Sequence, residues 1–191
     1  KAGHQIIIGS RNADKAISVA EEINAEIEND NVTGSDLMET AKNCGIAVLA
    51  VPYFSHSETL NQIKPFLSGK ILVDTTVPLS KPVTKVNLPK HGSAALEAQM
   101  LLGEEVHVVS ALQNIGSHLV GSEEKIDAEV LVCGNSNDAV DAAYIHGERF
   151  INLAKKNDKG NSLITAKALF LNFLLQIINK PGESSIEVVD A

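Results

Sequence analysis

The stretch Gln5-Ile6-Ile7-Ile8-Gly9-Ser10-Arg11-Asn12 is an apolar run that ends in glycine and then becomes polar. Such a run predicts a buried β-strand. Apolar residues at helical spacing follow from Asp14 to Ile27, and Asn12 is placed to cap that helix. A buried strand followed at once by a helix is the start of a strand–helix–strand unit, which is typical of α/β folds.

The same alternation continues along the chain. Further apolar runs predict strands at 32–33, 45–51, 70–74, 107–111 and 130–133, and helices at 35–43, 56–67, 93–102 and 139–151. Strands that are apolar throughout are typical of parallel sheets covered by helices on both faces. The sequence therefore predicts an α/β fold with a Rossmann-like, doubly wound parallel sheet, in which ligands bind at the carboxyl ends of the strands.

The region beyond Asn161 differs in character from the rest of the chain. Residues 162–178 predict a long helix that is apolar on nearly all sides, and such a helix has to be buried. The same helix of a second copy is a suitable partner, so we expect a homodimer. We divide the chain into a Rossmann-like domain at 1–135 and a C-terminal helical segment at 136–191, which contributes to the substrate pocket and the dimer contact.

Composition excludes several classes of partner. The chain has 191 residues and a net charge of −8, which repels nucleic-acid phosphates, so no nucleic-acid partner is expected. The apolar stretch 166–178 is too short to cross a bilayer, so no membrane partner is expected either. Cys44 and Cys133 lie in apolar runs and are predicted to be buried thiols, which suits the reducing cytoplasm. Histidine and cysteine spacing shows no zinc pattern, so no metal site is predicted.

Basic residues follow the first strand. In a dinucleotide-binding fold, the second strand ends beside the adenosine ribose, where NAD enzymes carry an acidic residue. Here that place holds Ser10 and Arg11, with Lys15 one turn further on. A 2′-phosphate can pair with the planar guanidinium of Arg11, accept a hydrogen bond from the Ser10 hydroxyl and be attracted by the charge of Lys15. The sequence therefore predicts binding of NADP. The alternative interpretation is a solvated helix start with ordinary surface charges.

The pyrophosphate-binding loop of such a fold lies before this strand. A glycine-rich GxGxxG loop should precede the strand by about 20 residues. The sequence begins at Lys1, a few residues before the strand. We therefore expect an N-terminally truncated chain whose sheet lacks its first strand, together with its glycine loop and helix. A different, complete fold that starts with this strand is the alternative.

Several segments share the order and spacing of one family's motifs. They are residues 3–11, 46–53, 70–79, 92–99, 108–112, 132–134 and 161–162. Through them the chain resembles the NADPH-dependent coenzyme F420 reductases, also called F420:NADP oxidoreductases. The resemblance covers nearly all of the sequence except about 144–160.

The resemblance implies hydride transfer between NADP(H) and the deazaflavin coenzyme F420. In such a reaction the cofactors supply the chemistry and the protein supplies proximity, so no catalytic acid or base is expected. The turn residues that would shape an apolar slot for the nicotinamide are Val51, Pro52, Val77 and Pro78. The resemblance also implies that Ala111 contacts the cofactor. It further implies that Ala111, Gln113 and Asn114 face the deazaflavin, with Gln113 and Asn114 binding it as the second substrate.

One position departs from the family pattern. Gln113 stands where many members have histidine, and its amide can donate and accept a hydrogen bond but cannot carry a proton at neutral pH. Two alternatives therefore stay open: an NADP-dependent reductase of another small acceptor, such as a flavin or an imine, and a non-catalytic NADP-binding regulatory module. His56 is predicted either near the ribose and phosphates or on the surface, and Asp74 is predicted to satisfy backbone donors of the following turn.

Overall fold

A computed structural model describes residues 4–80, 85–86, 88–113, 130–139, 142–143 and 185–189. Asn114, most of the helix predicted at 139–151 and all of the apolar helix predicted at 162–178 lie outside the described residues. The strands are β1 (Ile6–Ser10), β2 (Val32–Asp36), β3 (Ile46–Leu49), β4 (Ile71–Asp74), β5 (Leu79–Ser80), β6 (Lys85–Val86), β7 (His107–Ser110), β8 (Val130–Gly134) and β9 (Ser185–Val189). The helices are α1 (Ala13–Ile27), α2 (Leu37–Asn43), α3 (His56–Ile63) and α4 (Ala94–Leu102), with 3-10 turns at Tyr53–Ser55 and Lys64–Phe66.

Side-chain caps determine where three of the helices begin. Asn12 accepts a hydrogen bond from the Lys15 amide at 3.2 Å and starts α1, as the sequence predicted. Asp36 accepts from two amides in the first turn of α2, both at 2.9 Å. Ser93 accepts from the Leu96 amide at 3.1 Å and starts α4. Each cap satisfies backbone donors that a helix start leaves unpaired.

Within the described residues, the strands form a two-stranded sheet, a larger five-stranded sheet and one short hairpin. β1 pairs with β2 in parallel, and the larger sheet has the order β3-β4-β7-β8-β9. Its first three strands are parallel, whereas β8 runs antiparallel to β7 and β9 antiparallel to β8. The hairpin consists of β5 and β6.

The prediction of a wholly parallel sheet is wrong at β8. This strand was predicted from its apolar run, and it is buried along most of its length. A strand covered on both faces is apolar throughout whichever way it runs, so the sequence pattern does not report its direction. The short strands β5, β6 and β9 were not predicted.

Hydrophobic clusters lie on both faces of the larger sheet. Leu72 and Val108 belong to one cluster with residues of α3 and α4, and both are at most 6% exposed. The next residue on each strand, Val73 and Val109, belongs to a second cluster with Ala139 and Ala143. Successive strand residues point to opposite faces, so the sheet is covered on both sides, as a doubly wound fold requires.

One strand in each of these two sheets carries a large hydrophobic side chain that is much less covered. On β1, Ile6 is 40% exposed, and on β3, Val48 is 58% exposed. No strand pairing joins the β1–β2 pair to the larger sheet among the described residues. None of the helices in the described ranges is long and apolar enough to cross a membrane.

Candidate functional site at the carboxyl ends of the strands

The parallel strands of the larger sheet end side by side. Leu49 of β3 is level with Asp74 of β4, and Asp74 is level with Ser110 of β7. The first residue after β4 is tied to β3, because the Thr75 amide donates to the Leu49 carbonyl at 3.2 Å. The turns that leave these strands therefore share one edge, which is the ligand-binding edge of an open α/β sheet.

An ion pair joins the end of β1 to that same edge. Arg11 Nη1 lies 3.8 Å from Glu58 Oε2 in the first turn of α3, and both side chains are 62% exposed. An exposed pair of this kind contributes about 0–1 kcal/mol, so it leaves Arg11 able to exchange Glu58 for an anionic ligand. Glu58 was not singled out from the sequence, because an acidic residue in the first turn of a helix is common.

The other two residues predicted to bind the 2′-phosphate flank Arg11. Ser10 is half-buried, and its Oγ accepts from the Asn12 amide at 3.2 Å, which leaves its hydroxyl hydrogen able to donate. Lys15 is exposed in the first turn of α1. Two cations and a hydroxyl therefore lie beside the start of a helix, where anions are favoured.

The predicted nicotinamide turns differ in how much surface they offer. Val51 is half-buried and packs against the core, while Pro52 is exposed and starts the 3-10 turn. Val77 is half-buried, but Pro78 is among the fully buried side chains. Val51, Pro52 and Val77 can thus contact a ligand directly, whereas Pro78 supports the turn from beneath.

The turn after β7 carries the residues predicted to face the second ring. Ala111 is 4% exposed, and its amide donates to the Asp74 carbonyl at 3.3 Å. Leu112 has a φ of +68°, a left-handed backbone conformation that non-glycine residues seldom adopt. Gln113 is half-buried and donates from Nε2 to the Asp74 carbonyl at 2.8 Å and to Ser110 Oγ at 2.7 Å.

A buried polar group lies directly beneath these turns. His56 Nε2 and Asp74 Oδ2 are 3.0 Å apart, and each side chain is only 1% exposed. The other carboxylate oxygen of Asp74 accepts from the Thr76 amide at 2.9 Å and the Thr76 hydroxyl at 2.7 Å. The prediction for Asp74 is confirmed, since it caps the following turn, and the surface alternative for His56 is wrong.

Tyr53 links the Pro52 turn to helix α4. Its hydroxyl donates to Glu97 Oε2 at 2.6 Å, and its ring centroid is 5.6 Å from that of His56. Burial, and next the hydrogen bond to Glu97, raise the pKa of Tyr53 above its ordinary value. The phenol therefore stays protonated as a hydrogen-bond donor at neutral pH.

The described part of the chain offers little acid–base or metal chemistry at this edge. No group of three or more potential metal ligands occurs among the described residues. Burial raises the pKa of the Cys133 thiol, which keeps it in the unreactive protonated form. The arrangement can bind and orient a dinucleotide, with an anion subsite at one end and apolar turns at the other.

Comparison with known proteins gives a second, separate line of evidence. Residues 1–78 match the family model described as NADP oxidoreductase, coenzyme F420-dependent. An F420-dependent NADP reductase of Methanothermobacter marburgensis is 29% identical over 99% of this chain and 89% of its own length. The enzyme of the same name from Methanocaldococcus jannaschii is 33% identical over 71% of this chain, which spans 65% of that relative.

A solved structure supports the fold independently. The crystal structure of a protein from Arthrobacter sp. FB24, assigned as an F420-dependent NADP reductase, superposes with a TM-score of 0.64 over 92% of this chain and 81% of its own, at 23% identity. The fold is thus that of an α/β protein of the Rossmann-like type. The predicted resemblance is confirmed: residues 1–78 match the family model described as NADP oxidoreductase, coenzyme F420-dependent, and almost the whole chain is similar to an F420-dependent NADP reductase.

Proposed function

We propose that the protein is an oxidoreductase that transfers a hydride between NADP(H) and the deazaflavin coenzyme F420. The observation that carries the proposal is the alignment of almost the whole chain with an F420-dependent NADP reductase. It is supported by the cations Arg11 and Lys15 at the end of β1, because a 2′-phosphate distinguishes NADP from NAD. When bound, the nicotinamide and the deazaflavin supply the hydride chemistry between them.

The residues of this chain contribute binding and orientation. Ser10, Arg11 and Lys15 hold the 2′-phosphate, while Val51, Pro52 and Val77 form an apolar surface for the nicotinamide and Pro78 backs it. Such an apolar surface excludes water from the reacting ring faces and limits their relative orientation. Gln113 and Asn114 are the residues proposed to contact the deazaflavin, and the buried Ala111 shapes the turn that precedes them. No side chain of this set has to gain or lose a proton.

We also propose that one further parallel strand lies between β1 and β3, followed by a glycine-rich loop and a helix. The exposure of Ile6 and Val48 supports this, because central strands of a doubly wound sheet are normally covered. The proposal predicts that amides of β1 and β3 exchange slowly with solvent in a chain that carries such a preceding unit. Equally fast exchange with and without the unit would contradict it.

Two further proposals concern the state of the protein in the cell. The apolar composition of residues 162–178 supports a homodimer, which sedimentation would detect as twice the monomer mass. Cys44 and Cys133 are both free thiols in the structure, which supports work in a reducing cytoplasm.

The activity is tested by mixing the protein with NADPH and oxidised F420 and following the visible absorbance band of the deazaflavin. The expected result is loss of that band, with little loss when NADH replaces NADPH. Parallel reactions in which a free flavin or a cyclic imine replaces F420 test whether the protein reduces one of these other acceptors instead. Tight NADPH binding without reduction of any acceptor would overturn the enzymatic proposal and leave a binding module.

A further inference from the structure

Asp74 contacts two of the ligand-facing turns through its side chain. Its Oδ1 accepts both hydrogen bonds of Thr76, which starts the turn that contains Val77. Its Oδ2 pairs with His56, the first residue of α3, directly after the 3-10 turn that follows Pro52. A single carboxylate therefore fixes the turn after β4 against the turn after β3.

The backbone of Asp74 contacts the third turn. Its carbonyl accepts from the Ala111 amide at 3.3 Å and from Gln113 Nε2 at 2.8 Å. Between these two donors lies Leu112 with its φ of +68°, and a strained conformation persists only where its surroundings hold it. The Gln113 side chain thus closes the turn over the Asp74 carbonyl.

The chemistry of the partners determines where the hydrogens lie. A backbone carbonyl can only accept, so the Gln113 atom facing Asp74 has to be the NH2 group. The Thr76 amide and hydroxyl both donate to Asp74 Oδ1. With the carboxylate as the acceptor, His56 carries a hydrogen on Nε2, and its buried Nδ1 has no hydrogen-bond partner among the described residues.

We infer that Asp74 is a positioning residue that sets the mutual placement of the three ligand-facing turns, those after β3, β4 and β7. The inference rests on the proposed function, since those turns are the ones proposed to hold the nicotinamide and the second ring. Asp74 is 0% exposed and acts through Thr76, His56 and Gln113 rather than by touching a ligand. The adenosine half of the cofactor, at Arg11, does not depend on it.

The test is Asp74→Asn in the full chain, with two separate binding probes. Misplacement of about 1 Å at the reacting rings costs on the order of 100-fold in rate, so we expect hydride transfer to fall about 10- to 100-fold. NADPH affinity falls with it, whereas affinity for adenosine 2′,5′-bisphosphate, which contains only the adenosine half, stays unchanged. Parallel loss of both affinities, or an unchanged rate, would overturn the inference.

A spectroscopic signature separates positioning from loss of folding. In Asp74→Asn the amide oxygen stays with Thr76, so the NH2 group faces His56 and the ring has to move its hydrogen to Nδ1. The ¹⁵N shifts of His56 should therefore exchange between the two ring nitrogens. A ring that keeps its hydrogen on Nε2 contradicts the proposed bonding.

Matched variants keep the inference testable if Asp74→Asn folds poorly. Gln in place of His56 can still donate to the carboxylate, whereas Leu cannot, so His56→Gln should retain most of the rate that His56→Leu loses.

Gln99→Leu is the control, because Gln99 bonds Gly103 and Val106 at the opposite end of β7. It should lower stability without changing the ratio of NADPH to bisphosphate affinity. That ratio does not involve F420, so it tests Asp74 even if the proposed activity fails; equal rates for both His56 variants would overturn the inference.

Discussion

The two ends of the proposed cofactor site are built in opposite ways. At the adenosine end, Arg11 and Glu58 form an ion pair at 3.8 Å with both side chains 62% exposed. At the nicotinamide end, His56 and Asp74 pair at 3.0 Å with each side chain 1% exposed. One end is an exposed, exchangeable set of charges, and the other is a buried network with fixed directions.

The difference follows from what each end has to do. A phosphate can be held by mobile charges, because charge attraction depends weakly on direction and water can fill the gaps. Hydride transfer requires two rings at a defined distance and angle, so the turns beneath them have to be rigid. Substitutions at the two ends should therefore change different measurable quantities.

The largest effect is expected from Asp74→Ala. This change leaves the His56 ring, the Thr76 amide and the Thr76 hydroxyl without their common acceptor in a buried place. Breaking a buried pair by removing one partner costs about 3–5 kcal/mol, so the free energy of unfolding should fall by that amount. Denaturant titration measures it, and a loss below about 1 kcal/mol would mean that the network is not stabilising.

Arg11→Glu comes next and acts on binding rather than on stability. Replacing an exposed cation by an anion beside the 2′-phosphate should weaken NADP about 100-fold, while NAD, which lacks that phosphate, changes little. Equilibrium titration with both nucleotides checks the prediction. Equal weakening of NADP and NAD would show that Arg11 does not contact the 2′-phosphate.

A smaller effect is expected from Tyr53→Phe, and it depends on pH. Burial and the Glu97 hydrogen bond raise the pKa of Tyr53 in the folded state. The stability from the protonated phenol is therefore fully present below its unfolded pKa of about 10 and is lost as the pH rises beyond it. The variant should lose about 1 kcal/mol at neutral pH. It should also show a shallower fall of stability above pH 10 than the parent protein, as measured by unfolding at several pH values; identical slopes would contradict the prediction.

The smallest effect is expected from Glu58→Gln. Removing the carboxylate frees Arg11 from an exposed ion pair worth at most about 1 kcal/mol, so NADP should bind up to about fivefold more tightly. The gain should shrink as salt is added, because screening already weakens the pair in the parent protein. Weaker NADP binding in this variant would indicate that Glu58 orients Arg11 instead of competing for it.

Much of the fold could be predicted from the sequence because its signals are local. The apolar runs gave the strands β1, β3, β4, β7 and β8, and the Asn12 cap placed the start of α1. The direction of β8 and the short strands β5, β6 and β9 could not be predicted, since strand direction and edge pairing depend on distant partners.

The candidate site likewise has a part that the sequence could predict and a part that it could not. Ser10, Arg11 and Lys15 could be proposed as a phosphate site because they lie close together in sequence at a strand end, and that site stays a prediction. Glu58, Tyr53 and Glu97 were missed as partners, because their contacts join residues 44 or more positions apart.

By itself, the sequence determined the α/β class, the positions of the turns after the strands and the basic character of the adenosine end. Each of these depends on residues within a few positions of one another, where periodicity and charge are visible in the text. Only the tertiary structure decided that Asp74 joins three turns and that His56 and Pro78 are buried. Burial and hydrogen-bond direction are properties of strands brought side by side, and no local pattern records them.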